Sequence, residues 1–180
     1  NAAVGQKAKV AIFSLEMSKE ALVQRLLTAE ARVDSQRVRR AALRDTDFTY
    51  LARAAGILQS CPIWIDDTPA ITLLEMRSKA RRLKAEHDIG LIIVDYLQLM
   101  RSPEYAENRV QEISDVSRSL KGLARELEVP VIALSQLSRA VESRQDHRPM
   151  LSDLRESGCL TGDTIILDPV SGLPARMDRL

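Results

Sequence analysis

The sequence predicts an α/β fold with a mostly parallel sheet flanked by helices, and three observations carry that prediction. Four short apolar runs, "KVAIFSLE", "CPIWIDD", "LIIVD" and "VIALSQ", alternate with long helical patterns, an order that implies right-handed crossovers between parallel neighbours. The runs are apolar nearly without interruption, as strands covered on both faces are. Each run also ends on polar side chains: Glu16, Asp66 and Asp67, Asp95, and Gln136.

Taken in order, residues 9–16 read as the first strand. Ser18 is placed to cap a helix whose Leu22, Leu26 and Ala29 share one face. Helical stretches over 35–44 and 47–60 follow around a turn-like "RDTD", and the second strand covers 61–67. Thr72 and Glu75 form a T-x-x-E capping box that opens the basic helix "LLEMRSKARRLKAEHD", closed at Ile89-Gly90. The run "LIIVD" comes next, then a loop around "RSPEYAEN". A further helix covers "RVQEISDVSRSLKGLAREL", where Val110, Ile113, Val116, Leu120 and Leu123 recur at helical spacing. Pro130 starts the last run, "VIALSQ".

Composition narrows the function. Of 180 residues, 45% are hydrophobic and only 3% aromatic, so the core of a soluble globular domain must be aliphatic. Lys and Arg number 26 against 25 Asp and Glu, which gives no global pull toward nucleic acid or acidic lipid, so any polyanion site must be local. Cys61 and Cys159 stand far apart without CxxC or Cys/His spacing, so neither a disulfide framework nor a structural zinc site is indicated, and a reducing cytoplasm fits best. No apolar stretch reaches the ~18 residues of a membrane helix, and none resembles a signal peptide. After "DLRESG" the text changes to turn formers and one short strand, placing a boundary between Gly158 and Cys159.

The polar strand ends suggest chemistry. Open α/β sheets bind ligands outside the carboxyl ends of their strands, where helix N-termini add positive dipole. A carboxylate that ends an aliphatic strand, as Asp95 does, suits Mg²⁺ beside a nucleotide, held through water. A second acid on a neighbouring strand can take a proton from attacking water, and the amide of Gln136 can hydrogen-bond a γ-phosphate. Asp66 and Asp67 are expected to be helix caps or solvated loop starts. None of the seven glycines lies in G-x-x-x-x-G-K-[ST], the loop that cradles phosphates.

Read together, "VAIFSLEMSKEALVQRLL", "LIIVDYLQLM", "VIALSQLSR" and "PMLSDLRESG" resemble the RecA-like motor domain of the bacterial replicative DNA helicase family, DnaB, over residues 1–158. The resemblance implies ATP and Mg²⁺ as cofactors, a homo-hexameric ring, single-stranded DNA as the track, and a primase and a helicase loader as partners. It implies Glu16 as the catalytic glutamate, Asp95 as the acid holding Mg²⁺ through water, and Gln136 as the γ-phosphate sensor. Arg155, Glu156 and Gly158 match the start of the family's DNA-contacting loop. By the same resemblance the P-loop precedes Asn1, "NAAVGQ" is similar to the end of the helix that follows it, and the 180 residues alone are expected to hydrolyse no ATP.

Residues 159–180 resemble something else. "CLTGDTIILD" is similar to the opening block of an intein, in which the Cys159 thiol would attack the Gly158 carbonyl to form a thioester. Gly162, Asp163 and Thr164 match that block's turn and Ile165 to Leu167 its strand; the rival reading is an ordinary hairpin turning at "DPVSG". Rivals for the main domain are a RecA-like recombination or repair ATPase and a non-catalytic assembly module of the same fold. His87 is expected to cap a helix C-terminus, His147 to be solvated, and Cys61 to be a small buried hydrophobe. Arg77, Lys79, Arg81, Arg82 and Lys84 are expected to form a solvated helix face. Arg101 and Arg109 bracket a loop that the resemblance turns toward DNA, and Arg139 is a weaker candidate for phosphate or a neighbouring subunit.

Overall fold

The computed structural model describes residues 2–100, 109–136, 146, 165–167 and 174–176. Its elements run α1 (Ala2–Gly5), β1 (Val10–Ser14), α2 (Lys19–Ala31), α3 (Ser35–Arg39), α4 (Asp45–Gln59), β2 (Ile63–Asp66), α5 (Leu73–His87) and β3 (Leu91–Asp95). A 3₁₀ turn (Leu97–Leu99), α6 (Arg109–Leu127), β4 (Val131–Ala133), β5 (Ile165–Leu167) and β6 (Pro174–Arg176) complete the order. The first four strands form one parallel sheet in the order β2-β1-β3-β4. Strands β5 and β6 pair antiparallel by themselves, Ile166 opposite Ala175; the segment between them, and the Cys159-to-Thr164 turn, lie outside the described residues.

Local sequence explains the helix starts. Ser18 accepts the Ala21 N–H at 3.3 Å at the head of α2. At α5 both halves of the capping box are present: the Glu75 N–H donates to the Thr72 hydroxyl at 3.3 Å, and the Thr72 N–H donates to the Glu75 carboxylate at 3.0 Å. Helix α3 stops five residues short of the expected 44, because the chain turns through a left-handed Ala41 (φ 51°) and the Ala42 N–H returns to the Arg37 carbonyl. Helix α4 starts two residues early, at Asp45. The Asp47 carboxylate accepts the Arg44 N–H at 3.0 Å and the Arg37 guanidinium at 3.3 Å. Helix α5 ends at His87 on a left-handed Asp88, one residue before the expected Ile89-Gly90.

Packing departs from the sequence reading in one respect. One face of the sheet, built of Ala11, Phe13, Ile92 and Val94, is buried against Met76 and Ala80 of α5 and Val116, Leu120, Leu123 and Leu127 of α6. On the opposite face, which the register assembles from Val10, Ile12, Ile63, Ile65, Leu91 and Ile93, Val10 is buried and the others are only half-buried, and Ile132 on β4 is exposed. Continuous apolar strands led to an expectation of cover on both faces; among the described residues the cover is one-sided. Helices α2 and α4 pack on each other instead.

The basic face of α5 is solvated as expected, Arg77, Arg81 and Arg82 all being exposed, but several of its charges are also paired. Arg77 and Arg81 both grip Glu126 of α6, the Arg77 contact at 2.7 Å, and the two guanidiniums, Arg81 foremost, hold the Glu126 carboxyl below its ordinary value against partial desolvation. Lys84 pairs with Asp88 at 2.6 Å. His87 sits in the last turn of α5, where a cap was expected, but its ring stacks on Trp64 of β2 with centroids 4.6 Å apart. Cys61 is half-buried, its thiol 3.3 Å from the Ile57 carbonyl.

The one-sided packing makes neighbouring residues unequal. Ile92→Ala should lower the free energy of unfolding by about 2–5 kcal/mol, while Ile93→Ala should cost clearly less. Equal losses in denaturant titrations of the two variants would show that both faces are packed alike.

Candidate functional site

The parallel register gathers the strand ends. Ser14 lies opposite Asp95, and the next residue extends the ladder, the Leu15 N–H donating to the Asp95 carbonyl at 2.7 Å. Glu16 therefore leaves β1 directly beside the end of β3, with its side chain exposed and Asp95 half-buried. On the other flank the Leu134 N–H donates to the Val94 carbonyl at 2.9 Å, and the Leu97 N–H to the Leu134 carbonyl at 3.0 Å. These bonds carry β4 forward until Gln136 reaches the same edge. Glu16, Asp95 and Gln136, expected to line one crevice, do end adjacent strands on one edge of the sheet.

Gln98 was not singled out from the sequence. From the 3₁₀ turn after β3 its amide donates to the Ser135 hydroxyl at 2.9 Å and to the Gln136 carbonyl at 3.1 Å, and its oxygen accepts the Gln136 N–H at 3.3 Å. Both backbone groups of Gln136 are thus clamped to the chain leaving Asp95. The only signal in the sequence was a polar residue between the leucines of "DYLQLM". Ser14, buried to 1% exposure, turns its hydroxyl to the Met17 carbonyl at 2.8 Å and shapes the turn that carries Glu16.

The four acids of the edge divide into two kinds. Asp67 accepts the Lys19 N–H at 2.9 Å, tying β2 to the head of α2. Asp66 pairs with Lys79 at 2.6 Å and accepts the Thr68 N–H at 3.1 Å. Partial burial pushes the Asp66 carboxyl up, but the Lys79 ammonium and the Thr68 donors outweigh it and leave it below its ordinary value. Both acids are held by structural partners: Asp67 caps α2, as expected of it, whereas Asp66 is neither a cap nor solvated but half-buried against Lys79. The Glu16 and Asp95 carboxylates, by contrast, have neither ion pair nor hydrogen bond among the described residues. Arg155, Glu156, Gly158 and Cys159 lie outside the described residues, as do Arg101, Arg139, His147 and the Arg109 side chain.

The sequence matches the DnaB-like helicase C terminal domain over residues 1–167. The chain belongs to that family. Among relatives of this DnaB-like domain, the replicative DNA helicase DnaB of Nostoc sp. is 59% identical over 175 residues, which are 96% of this chain and 20% of that protein. The replicative DNA helicase DnaB of Geobacillus stearothermophilus is 54% identical over 168 residues, 93% of this chain and 37% of that protein. The chain thus spans well under half the length of the relatives it matches. Among solved structures, one ATPase domain superposes with a TM-score of 0.79 at 40% identity, covering 84% of this chain and 55% of that one. A DnaB-like replicative helicase studied with its interactions with primase superposes equally well, TM-score 0.79 at 40% identity, over 85% of this chain and 38% of that one. The RecA-like α/β fold of the DnaB-like domain follows from these likenesses and from the parallel sheet itself.

The lowered Asp66 carboxyl fixes the sign of a pH effect. Its ion pair stabilises the fold fully above the ordinary aspartate value of 3.8 and is lost as pH falls through the lowered folded value. Asp66→Asn should therefore melt below the parent at pH 7, with the gap closing on acidification below about pH 4. A gap that persists unchanged at pH 2 would show that Asp66 acts through packing rather than charge.

Proposed function

We propose that this chain is part of the motor domain of a hexameric replicative DNA helicase, which couples ATP hydrolysis to movement along single-stranded DNA. One observation carries the proposal: of four acids at one strand edge, the two on β2 are consumed by structure, and the two on β1 and β3 stand adjacent without partners among the described residues. An acid pair of that kind beside an amide suits the handling of a nucleotide's phosphates and of water.

Roles follow from position. Asp95, half-buried at the end of a rigid central strand, would hold Mg²⁺ through water. The described residues contain no cluster of three or more metal-binding side chains, and a single carboxylate completed by phosphate and water is the coordination Mg²⁺ favours. When bound, the ion supplies charge neutralisation at the phosphates. Glu16, exposed on the neighbouring strand end, would orient and deprotonate the attacking water. Gln136, its backbone fixed by Gln98, would hydrogen-bond the γ-phosphate. The primase studied with a DnaB-like helicase, and a loader, are the partners this reading brings with it. Arg155, Glu156 and Gly158 would contact the DNA backbone, independent of sequence and sensitive to salt. Among the described residues no helix is long and apolar enough to cross a membrane, and a cytoplasmic site of action fits two cysteines that lack disulfide or metal spacing.

The second part of the proposal places an intein start at 159–180, after a helicase segment of 1–158. The same segment makes up 20% of the Nostoc relative and 37% of the Geobacillus one, so the first protein is nearly twice as long, a difference that an internal insertion would produce. The β5–β6 pair suits the strand after the block's turn, although the family match runs on to residue 167, past the boundary.

In the whole protein, Glu16→Gln should lower ATP turnover by roughly 10²–10⁴-fold while nucleotide binding persists, and Asp95→Asn should weaken Mg²⁺-dependent steps. Unchanged hydrolysis in both variants would reduce these acids to strand-end caps on an assembly module. Added thiol should cleave the chain after Gly158, and Cys159→Ala should abolish that cleavage; equal stability of both chains to thiol would favour a plain hairpin.

A further inference from the structure

The ladder between β3 and β4 loses its rhythm just where the candidate site begins. The Ile92 N–H donates to the Pro130 carbonyl and the Leu134 N–H to the Val94 carbonyl. A regular parallel ladder would next set the Tyr96 N–H on the Leu134 carbonyl and the Gln136 N–H on the Tyr96 carbonyl. The 3₁₀ turn prevents this. The Leu134 carbonyl is met one residue late, by the Leu97 N–H at 3.0 Å, and the Tyr96 carbonyl accepts the Leu99 N–H at 3.1 Å. Strand β4 itself stops at Ala133, so Gln136 stands three residues past its end.

The Gln98 side chain takes the place of the missing main-chain partner. Its amide acts as a peptide group would: Oε1 accepts the Gln136 N–H at 3.3 Å and Nε2 donates to the Gln136 carbonyl at 3.1 Å. Nε2 also donates to the Ser135 hydroxyl at 2.9 Å. The backbone of Gln136 dictates this orientation of the amide, because a carbonyl can only accept and an N–H only donate. A glutamate at 98 would keep the acceptor and lose both donors, and an asparagine would fall one methylene short. The amide is also anchored at its own end. Leu97 and Met100, on either side of it, are buried in the core, and the Met100 N–H closes the turn on the Leu97 carbonyl at 3.1 Å. A buried turn therefore reaches out to fix an exposed residue.

We propose that Gln98 is a positioning residue for ATP hydrolysis: it extends the ladder by one side chain and holds Gln136 in register with Asp95. The amide that meets the γ-phosphate and the acid that holds Mg²⁺ are then set by a single turn. The inference rests on the reading of Gln136 as the phosphate sensor, and Gln98 acts through Gln136 rather than by touching the nucleotide.

Steady-state ATPase measurements and thermal melts of the whole protein test this in Gln98→Met, the near-isosteric Gln98→Glu, Gln136→Ala and the double variant Gln98→Met/Gln136→Ala. Gln98→Met and Gln98→Glu should each lower kcat on the order of 10²-fold, the cost of a group displaced by about 1 Å, with KM for ATP little changed. Because the Gln98 bonds to residue 136 go to its backbone, Gln98→Met should lower Tm equally whether that residue is Gln or Ala. Turnover should behave otherwise: once the Gln136 side chain is gone, Gln98→Met should cost kcat little more. A purely scaffolding Gln98 would move Tm in both backgrounds and leave kcat of the folded protein alone. Unchanged kcat in the folded Gln98 variants, or a loss by the same factor in both backgrounds, would overturn the proposal and leave Gln136 as the sensor. Full turnover in Gln136→Ala would instead remove the sensor reading, and this inference with it.

Discussion

The structure depends on the parallel pairing of β1 with β3. Parallel strands present their carboxyl ends on one edge, so a register that sets Ser14 opposite Asp95 and continues through the Leu15 N–H also decides which side chains can share a ligand. A slip of one residue would turn Phe13 and Val94 off the packed face and separate Glu16 from the end of β3 by the same movement. Core and crevice are specified together. The helices α5 and α6 that bury Phe13, Ile92 and Val94 therefore also fix which side chains meet at the strand ends, by holding one register.

Charge is used in two ways in this domain. Along α5 it fastens elements: Arg77 and Arg81 to α6, Lys79 to the end of β2, Lys84 to the helix's own C-terminus. Exposed pairs of this kind contribute modestly one by one, but the double grip on Glu126 shares the cost of ordering a single acid between two bonds. At the ends of β1 and β3 the carboxylates are left out of this network. Paired acids and unpaired acids stand a strand apart among the described residues.

Much of this was legible in the sequence because it is local. The Ser18 cap, the Thr72–Glu75 box, the α6 periodicity and the polar ends of four apolar runs each lie within a few residues, where spacing alone fixes geometry. The strand order β2-β1-β3-β4 was not legible, nor were contacts between residues far apart in the chain. Glu126 meets Arg77 and Arg81 across 49 and 45 residues and Gln98 meets Gln136 across 38, so the exposure of the α5 arginines was legible but their partner was not. One-sided burial also escaped, since Ile92 and Ile93 are the same letter and only the packing of helices separates them.

The chain has one tryptophan, and the fold puts it where β2 meets the end of α5, its ring against His87. That contact exists only while the helix is docked on the sheet. Indole emission from this protein is thus a built-in optical report on a single helix–sheet joint, readable without a label in larger assemblies wherever the other parts lack tryptophan.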